Sequence, residues 1–180
     1  QAELQELLIS LHLGVLGLQT LIDNLLESAS IEAGRFRVSP CPCHLGDILS
    51  EVQHTIQPLL AKRHQCLQLD LPMTLPPVQA DPRRTGQVLI NLLSNASKYS
   101  PDETEITIAA AAFEQKIRVT VADSGPGIPP EYRTDLFRLF MRGRNNDDSR
   151  LAQGGTGLGL SVVKGIVEAQ GGQVGVEDRP

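Results

Sequence analysis

Asp123-Ser-Gly-Pro-Gly-Ile128 closes the alternating run Lys116 to Ala122 and opens a turn that no strand can continue. Gly125 and Gly127 bracket a proline, so the backbone there is bare and a flat ligand can approach it closely. A carboxylate at a strand end can accept a hydrogen bond from an exocyclic amine, which suits adenine better than guanine with its oxygen at that edge. Taken alone, Asp123 reads equally well as a turn-capping aspartate. Two further segments give it meaning: Asn91-Leu-Leu-Ser-Asn-Ala-Ser-Lys-Tyr99 upstream and Gly154-Gly-Thr-Gly-Leu-Gly-Leu160 downstream. A glycine loop running into a helix offers free amides at the helix N-terminus, where phosphate is favoured. The loop has neither the spacing of a P-loop nor the complete dinucleotide fingerprint, and the chain has no H-R-D or D-F-G run.

Upstream, Asp81-Pro82 is a helix start, because aspartate caps free amides and proline is tolerated at the first helical position. The helix is expected to run to about Tyr99 and stop before Pro101. Val88, Leu89, Leu92, Leu93 and Ala96 form its apolar face. Arg84, Gln87, Asn91, Asn95 and Lys98 recur at spacings of three and four, so they share another face. Lys and Glu are the usual occupants of a merely solvated face, and asparagine is a poor helix former; the row therefore reads as functional. One amide oxygen can serve a magnesium ion that keeps its waters and takes phosphate ligands, and Lys98 can meet phosphate as a point charge.

Working outward, residues 1 to about 30 carry apolar side chains from Leu4 to Leu26 at spacings of three and four, a helix with one long seam that calls for a partner helix. Glu32-Ala-Gly34 ends it, glycine supplying the left-handed cap. A short strand is expected at Arg35 to Val38, a helix from Leu45 to about His64, and strands at Cys66 to Leu71 and Val78 to Ala80. Glu105 to Ala112 and Lys116 to Ala122 read as a hairpin, 131 to 141 as a short helix, and Leu160 to Gln170 as a helix. Gln173 to Val176 reads as a last strand. Gly143 to Gln153 is polar and aperiodic, the composition of a mobile loop.

Composition bounds the function. The 180 residues are 41% hydrophobic and 21% charged, ordinary for a globular chain, and the net charge of -5 leaves no basic surplus for a nucleic-acid backbone. No apolar run approaches a membrane span and no signal peptide is visible, so the segment is expected to be cytoplasmic without membrane contact. Three cysteines are too few for a disulfide framework. Cys41-Pro-Cys43-His44 could be half a metal site completed by His64 or Cys66, although proline-rich linkers carry such pairs by accident.

With these motifs in place, the chain resembles the ATP-binding domain of two-component sensor histidine kinases, within the gyrase, Hsp90, histidine kinase and MutL superfamily. Asn91 to Tyr99 resembles the N box, Asp123 to Ile128 the G1 box, Leu136 to Arg142 the F box and Gly154 to Leu160 the G2 box. The resemblance implies an α+β fold, a two-layer sandwich with a mixed sheet packed on helices, preceded by a long N-terminal helix. It divides the chain into 1–34, the second helix of a dimerisation and phosphotransfer hairpin; 35–44, a linker with a short strand; and 45–180, the catalytic domain with a lid at about 141–155.

The implied cofactors are ATP and Mg²⁺. Asn95, assisted by Asn91, would hold the metal; Lys98 would contact phosphate, Tyr99 would lie near the base and Asp123 would recognise the adenine amine. Gly125, Gly127 and Ile128 would complete the G1 wall, and Gly155, Thr156, Gly157, Leu158, Gly159 and Leu160 the G2 wall. Arg142 and Lys98 would serve transfer of the terminal phosphoryl group, Arg142 by stabilising charge. The implied partners are a response regulator and, in the parent protein, a second copy joined through the N-terminal helix; nucleic acid is not among them.

Two departures shape the expected activity. Hydrolytic members of the superfamily carry a glutamate base one helical turn before the first N-box asparagine, and Gln87 stands there, so ATPase activity by itself is not expected. The acceptor histidine of the kinases is followed by an acidic residue, whereas His12 is followed by Leu13, and His44, His54 and His64 fit no better. The 180 residues are therefore expected to be a segment of a longer kinase that does not autophosphorylate alone. The alternative is a nucleotide-binding scaffold or a phosphatase-type degenerate kinase. A purely helical interaction protein is disfavoured by the glycine boxes.

Overall fold

In the computed structural model, the described residues are 11, 14, 15, 18, 22–138 and 157–178. The chain divides into two compact units, Gln1–Phe36 and Arg37–Pro180.

In the first unit the described residues up to 32 are helical, and 22–32 form α1. Gly34 follows at φ +63, and Arg35 and Phe36 donate their amides to the carbonyl of Ser30, the closure a left-handed glycine permits. Leu11, Val15, Leu18, Ile22 and Leu25 are all about half exposed or more. Their alternating spacing of four and three draws a single apolar seam along the helix.

The second unit follows the order β1 (Cys41–Cys43), α2 (Leu45–Lys62), β2 (Cys66–Asp70), β3 (Val78–Ala80), α3 (Pro82–Tyr99), β4 (Glu105–Phe113), β5 (Lys116–Ala122), α4 (Pro130–Arg133) and α5 (Gly159–Ala169). β4 is central in a three-stranded mixed sheet, parallel to β2 and antiparallel to β5, with Cys66 in register with Glu105 and Ala110 with Val119. β1 and β3 form a separate antiparallel pair. α2 packs on α3 and α3 on α5, and α2 and α3 lie on the sheet. Apolar periodicity explains the layer. Ile48, Leu49, Val52 and Ile56 of α2 meet Leu89, Leu93 and Ala96 of α3 over Ile106 and Ile108 of β4.

Three local expectations are corrected. The first strand lies at Cys41–Cys43 rather than Arg35 to Val38. Pro42, which has no N–H to give, is accommodated because the pair is only two strands wide and one side of each strand needs no partner. The helix after the G1 turn is shorter than 131 to 141, covering Pro130–Arg133 and giving way to turns. Gln173 to Val176 alternates between exposed and half-buried side chains as a strand would, but has no ladder partner among the described residues and is not a strand.

Asp81 caps α3 as its sequence requires, accepting from the amide of Arg84 at 3.1 Å. Its other carboxylate oxygen accepts from the amide of Ser39 at 2.9 Å, and its own amide donates to Gln170 Oε1. One residue thus ties the start of α3 to the linker and to the end of α5. Among the described residues no helix is long and apolar enough to cross a membrane.

Candidate nucleotide site

The site is built on the last turns of α3, the end of β5 and the start of α5. Asn91 lies on the side of α3 that meets α5 and is buried to 8% exposure, which is unusual for an amide in a helix. Its Nδ2 has no hydrogen-bond partner among the described residues, a deficit that costs about 1–3 kcal/mol unless something supplies an acceptor. Its Oδ1 lies 3.5 Å from where a Cβ on Gly159 would stand. That is ordinary van der Waals spacing, so the first residue of α5 packs directly against this amide. Asn95, one turn further, is half-buried. Lys98 lies with Nζ 4.8 Å from the Tyr99 ring centroid and donates to the Tyr99 hydroxyl at 3.3 Å.

Asp123 directly follows β5 and is half-buried rather than fully buried. Its Oδ1 accepts from the amide of Gly125 at 2.7 Å, which fixes the carboxylate over the turn. A Cβ on Gly125 would stand 2.7 Å from that oxygen and 3.3 Å from the Tyr99 carbonyl oxygen. Gly125→Ala must therefore swing the carboxylate away and push back the end of α3, and the expected loss is about 1 to 2 kcal/mol of stability, read by chemical denaturation. An unchanged midpoint would show that the turn yields without cost. Gly127 has φ +75 and Gly157 φ +68, conformations other residues rarely adopt. The Ile128 carbonyl accepts from Arg133 Nε at 2.8 Å, and Arg133 also pairs with Asp178 at 2.5 Å. Leu158 is buried, and its carbonyl accepts from the amide of Val162 and the hydroxyl of Ser161.

The fold thus brings Asn91 to Gly159, and Tyr99 to Asp123 and Gly125. Arg142, Gly155, Thr156 and the lid at 141–155 lie outside the described residues. Gln87, on the polar row of α3, accepts from Arg84 Nη1 at 3.1 Å. Sequence reasoning missed Ser100, whose hydroxyl accepts from the amide of Ser124 at 3.2 Å, and Ser97, Arg63 and Gln65 behind it. A serine inside the Asn91 to Tyr99 stretch and another just after it carry no pattern of their own. Cys43 Sγ donates weakly to the carbonyls of Val78 and Ala80 at 3.6 and 3.7 Å, and burial pushes its thiol up, the reverse of what a metal ligand needs. Among the described residues no three His, Cys, Asp or Glu side chains gather as a metal site.

A mixed sheet with helices packed on it, and a buried asparagine of α3 against the glycine start of α5, is the arrangement to be placed among known folds. The model of the histidine kinase-, DNA gyrase B-, and HSP90-like ATPase family matches residues 80–180, and the chain belongs to that family. Within it, the chain is an ATP-binding domain of histidine kinase type. It is 34% identical over 161 residues to the adaptive-response sensory kinase SasA of Synechocystis sp., covering 89% of this chain and 41% of that protein. Among solved structures it is similar to full-length ShkA in complex with AMPPNP, with a TM-score of 0.77 and 29% identity, over 91% of this chain and 33% of that one. The histidine kinase ThkA in complex with the response regulator TrrA gives a TM-score of 0.70 and 26% identity, over 92% and 45% of the two chains. The chain spans about two fifths of the length of the curated relative.

Proposed function

We propose that the chain is the catalytic segment of a two-component sensor histidine kinase, binding Mg²⁺-ATP and directing its terminal phosphoryl group to a histidine supplied from outside these residues, from which a response regulator takes it. The observation that carries this reading is the buried Asn91 amide, its nitrogen without a partner beside the glycine start of α5. An acceptor from a bound phosphate or its hydration shell would satisfy it. The donor set fits the hydrated magnesium ion that accompanies a nucleotide, with Asn95 and Asn91 to hold it; such an ion neutralises phosphate charge during transfer. Asp123, held by the Gly125 amide, would accept from the adenine amine. Lys98 would turn its ammonium to phosphate, and Arg142 would stabilise charge on the transferring group.

Gln87 occupies the place of a general base and cannot take a proton from water, which favours transfer to a protein over hydrolysis. The exposed seam Leu11, Val15, Leu18, Ile22 and Leu25 supports a homodimer through the N-terminal helix in the parent protein, residues 1–34 serving as half of a hairpin. The cytoplasm, where ATP and regulators are available, is the proposed compartment.

The test is calorimetric titration with ATP, ADP and GTP, with and without Mg²⁺, followed by phosphoryl transfer from labelled ATP to an added helical hairpin bearing the acceptor histidine. Adenine-selective binding and a labelled hairpin are expected, with no label on the chain itself. Binding without transfer would leave the scaffold reading in its place.

A further inference from the structure

We propose that Arg63 and Gln65, in the turn between α2 and β2, are positioning residues for the adenine end of the nucleotide site; this rests on the reading of that site given above. The last turn of a helix leaves carbonyls with no partner inside the helix. At the end of α3 this one turn supplies donors to the Ser97 carbonyl and, just past the helix, to those of Ser100 and Pro101. Arg63 donates through Nη1 to the Ser97 carbonyl and through Nη2 to the Ser100 carbonyl at 3.1 Å. Its Nε is held by Asp102 at 2.7 Å. Gln65 Nε2 donates to the carbonyls of Ser97 at 3.1 Å and Pro101 at 2.9 Å, while its Oε1 accepts from the Ser97 hydroxyl at 2.6 Å. Gln65, Ser97 and Ser100 are 6%, 1% and 2% exposed, so water offers no substitute for the bonds between Gln65 and Ser97.

The clamp is specific in its geometry. His64, between the two residues, has φ +52, a left-handed backbone that a side chain rarely adopts. That turn brings both neighbours onto the same helix end, where they share the Ser97 carbonyl. The guanidinium also stands where the negative end of the helix dipole favours a cation.

The clamped segment is the one that supports the ligand wall. Lys98 and Tyr99 lie between the clamped carbonyls of Ser97 and Ser100. The Ser100 hydroxyl accepts from the amide of Ser124, next to Asp123, and the Tyr99 carbonyl sets the clearance of Gly125. Arg63 and Gln65 therefore fix Asp123 through Ser100 without reaching the ligand. Backbone bonds hold the turn independently, from the amide of Glu103 to the Arg63 carbonyl and from the amide of Cys66 to the Thr104 carbonyl. Losing the side chains leaves β2 in place.

The test compares ADP affinity, thermal midpoint and amide exchange for the native chain, Arg63→Ala, Arg63→Lys, Ser100→Ala and the double variant Arg63→Ala with Ser100→Ala. Arg63→Ala is expected to bind ADP about tenfold more weakly, since small displacements of orienting groups carry such costs, and to exchange the Ser124 and Gly125 amides faster. Arg63→Lys keeps the charge at the helix end but cannot fork to two carbonyls, so it should recover the midpoint and not the affinity. In the Ser100→Ala background, Arg63→Ala should cost less than about twofold more, because the route to Asp123 is already cut. Native affinity in a less stable Arg63→Ala chain would reduce the clamp to a helix cap and overturn the proposal, as would additive losses in the double variant. A folded native chain that does not bind ADP would instead overturn the site reading, and this inference with it.

Discussion

Asp123→Asn is expected to bind ADP between about tenfold and a hundredfold more weakly than the native chain while unfolding at nearly the same temperature, since a hydrogen bond to a charged group is worth about 1.5–3 kcal/mol. The two halves of this expectation come from the two oxygens. One already accepts from the Gly125 amide at 2.7 Å. An asparagine oxygen can keep that bond, so the turn and its stability survive. The asparagine NH₂ must then take the place of the second oxygen, where on the proposed reading the adenine amine sits. A donor then faces a donor, and a site shaped for an amine loses the amine's partner rather than merely its charge. The same NH₂ would suit the oxygen of guanine, so GDP should lose less affinity than ADP. Calorimetry with both nucleotides, alongside a thermal melt, measures this. Undiminished ADP binding would remove Asp123 from the site.

Leu93→Ala is expected to lower stability by about 3 to 4 kcal/mol, in the middle of the range for emptying a fully buried leucine position. Leu93 is 0% exposed and belongs to the cluster that joins α2, α3 and β4, where nothing can slide in without moving the sheet. At roughly 3 °C per kcal/mol for a domain of this size, the thermal midpoint should fall by about 10 °C. Leu93 lies on the face of α3 opposite the amide row, so the binding groups themselves remain. A ligand that binds only the folded chain, at a hundred times its dissociation constant, returns about 2.7 kcal/mol. Saturating ADP should therefore bring the variant most of the way back to the ligand-free native midpoint. A melt that ADP leaves unmoved would mean that the variant no longer binds it, the cavity having loosened the asparagine row.

The parts of this molecule that sequence made legible are those whose chemistry is local. The start of α3 was readable because Asp81 and Pro82 cap and open a helix by their own geometry, and α3 is observed at Pro82–Tyr99. The hairpin of β4 and β5 was readable because alternation with a polar turn admits little else. The first strand was misplaced because its position depends on β3, and nothing in Arg35 to Val38 announces that Cys41 will pair with Ala80. The expected strand at Gln173 to Val176 has the right pattern and no partner among the described residues, which a pattern cannot know. At the site, Asn91 and Asp123 stood out because asparagine in a helix and a carboxylate before glycines are locally odd. Ser100, Arg63 and Gln65 did not stand out. Their significance comes from the carbonyls that Arg63 and Gln65 meet, and the amide that Ser100 meets, across the fold.

Parallel strands such as β2 and β4 cannot be joined by a tight turn; they need a long crossover, usually a helix lying on the sheet. Here the crossover runs through β3 and α3, the same helix that carries Asn91, Asn95 and Lys98. Architecture and proposed ligand row are therefore inherited together. Deleting the row would sever the sheet, so a descendant of this chain that abandoned nucleotide would do so by exchanging single side chains on an intact helix. Its ancestry would remain readable in the backbone long after the activity had gone.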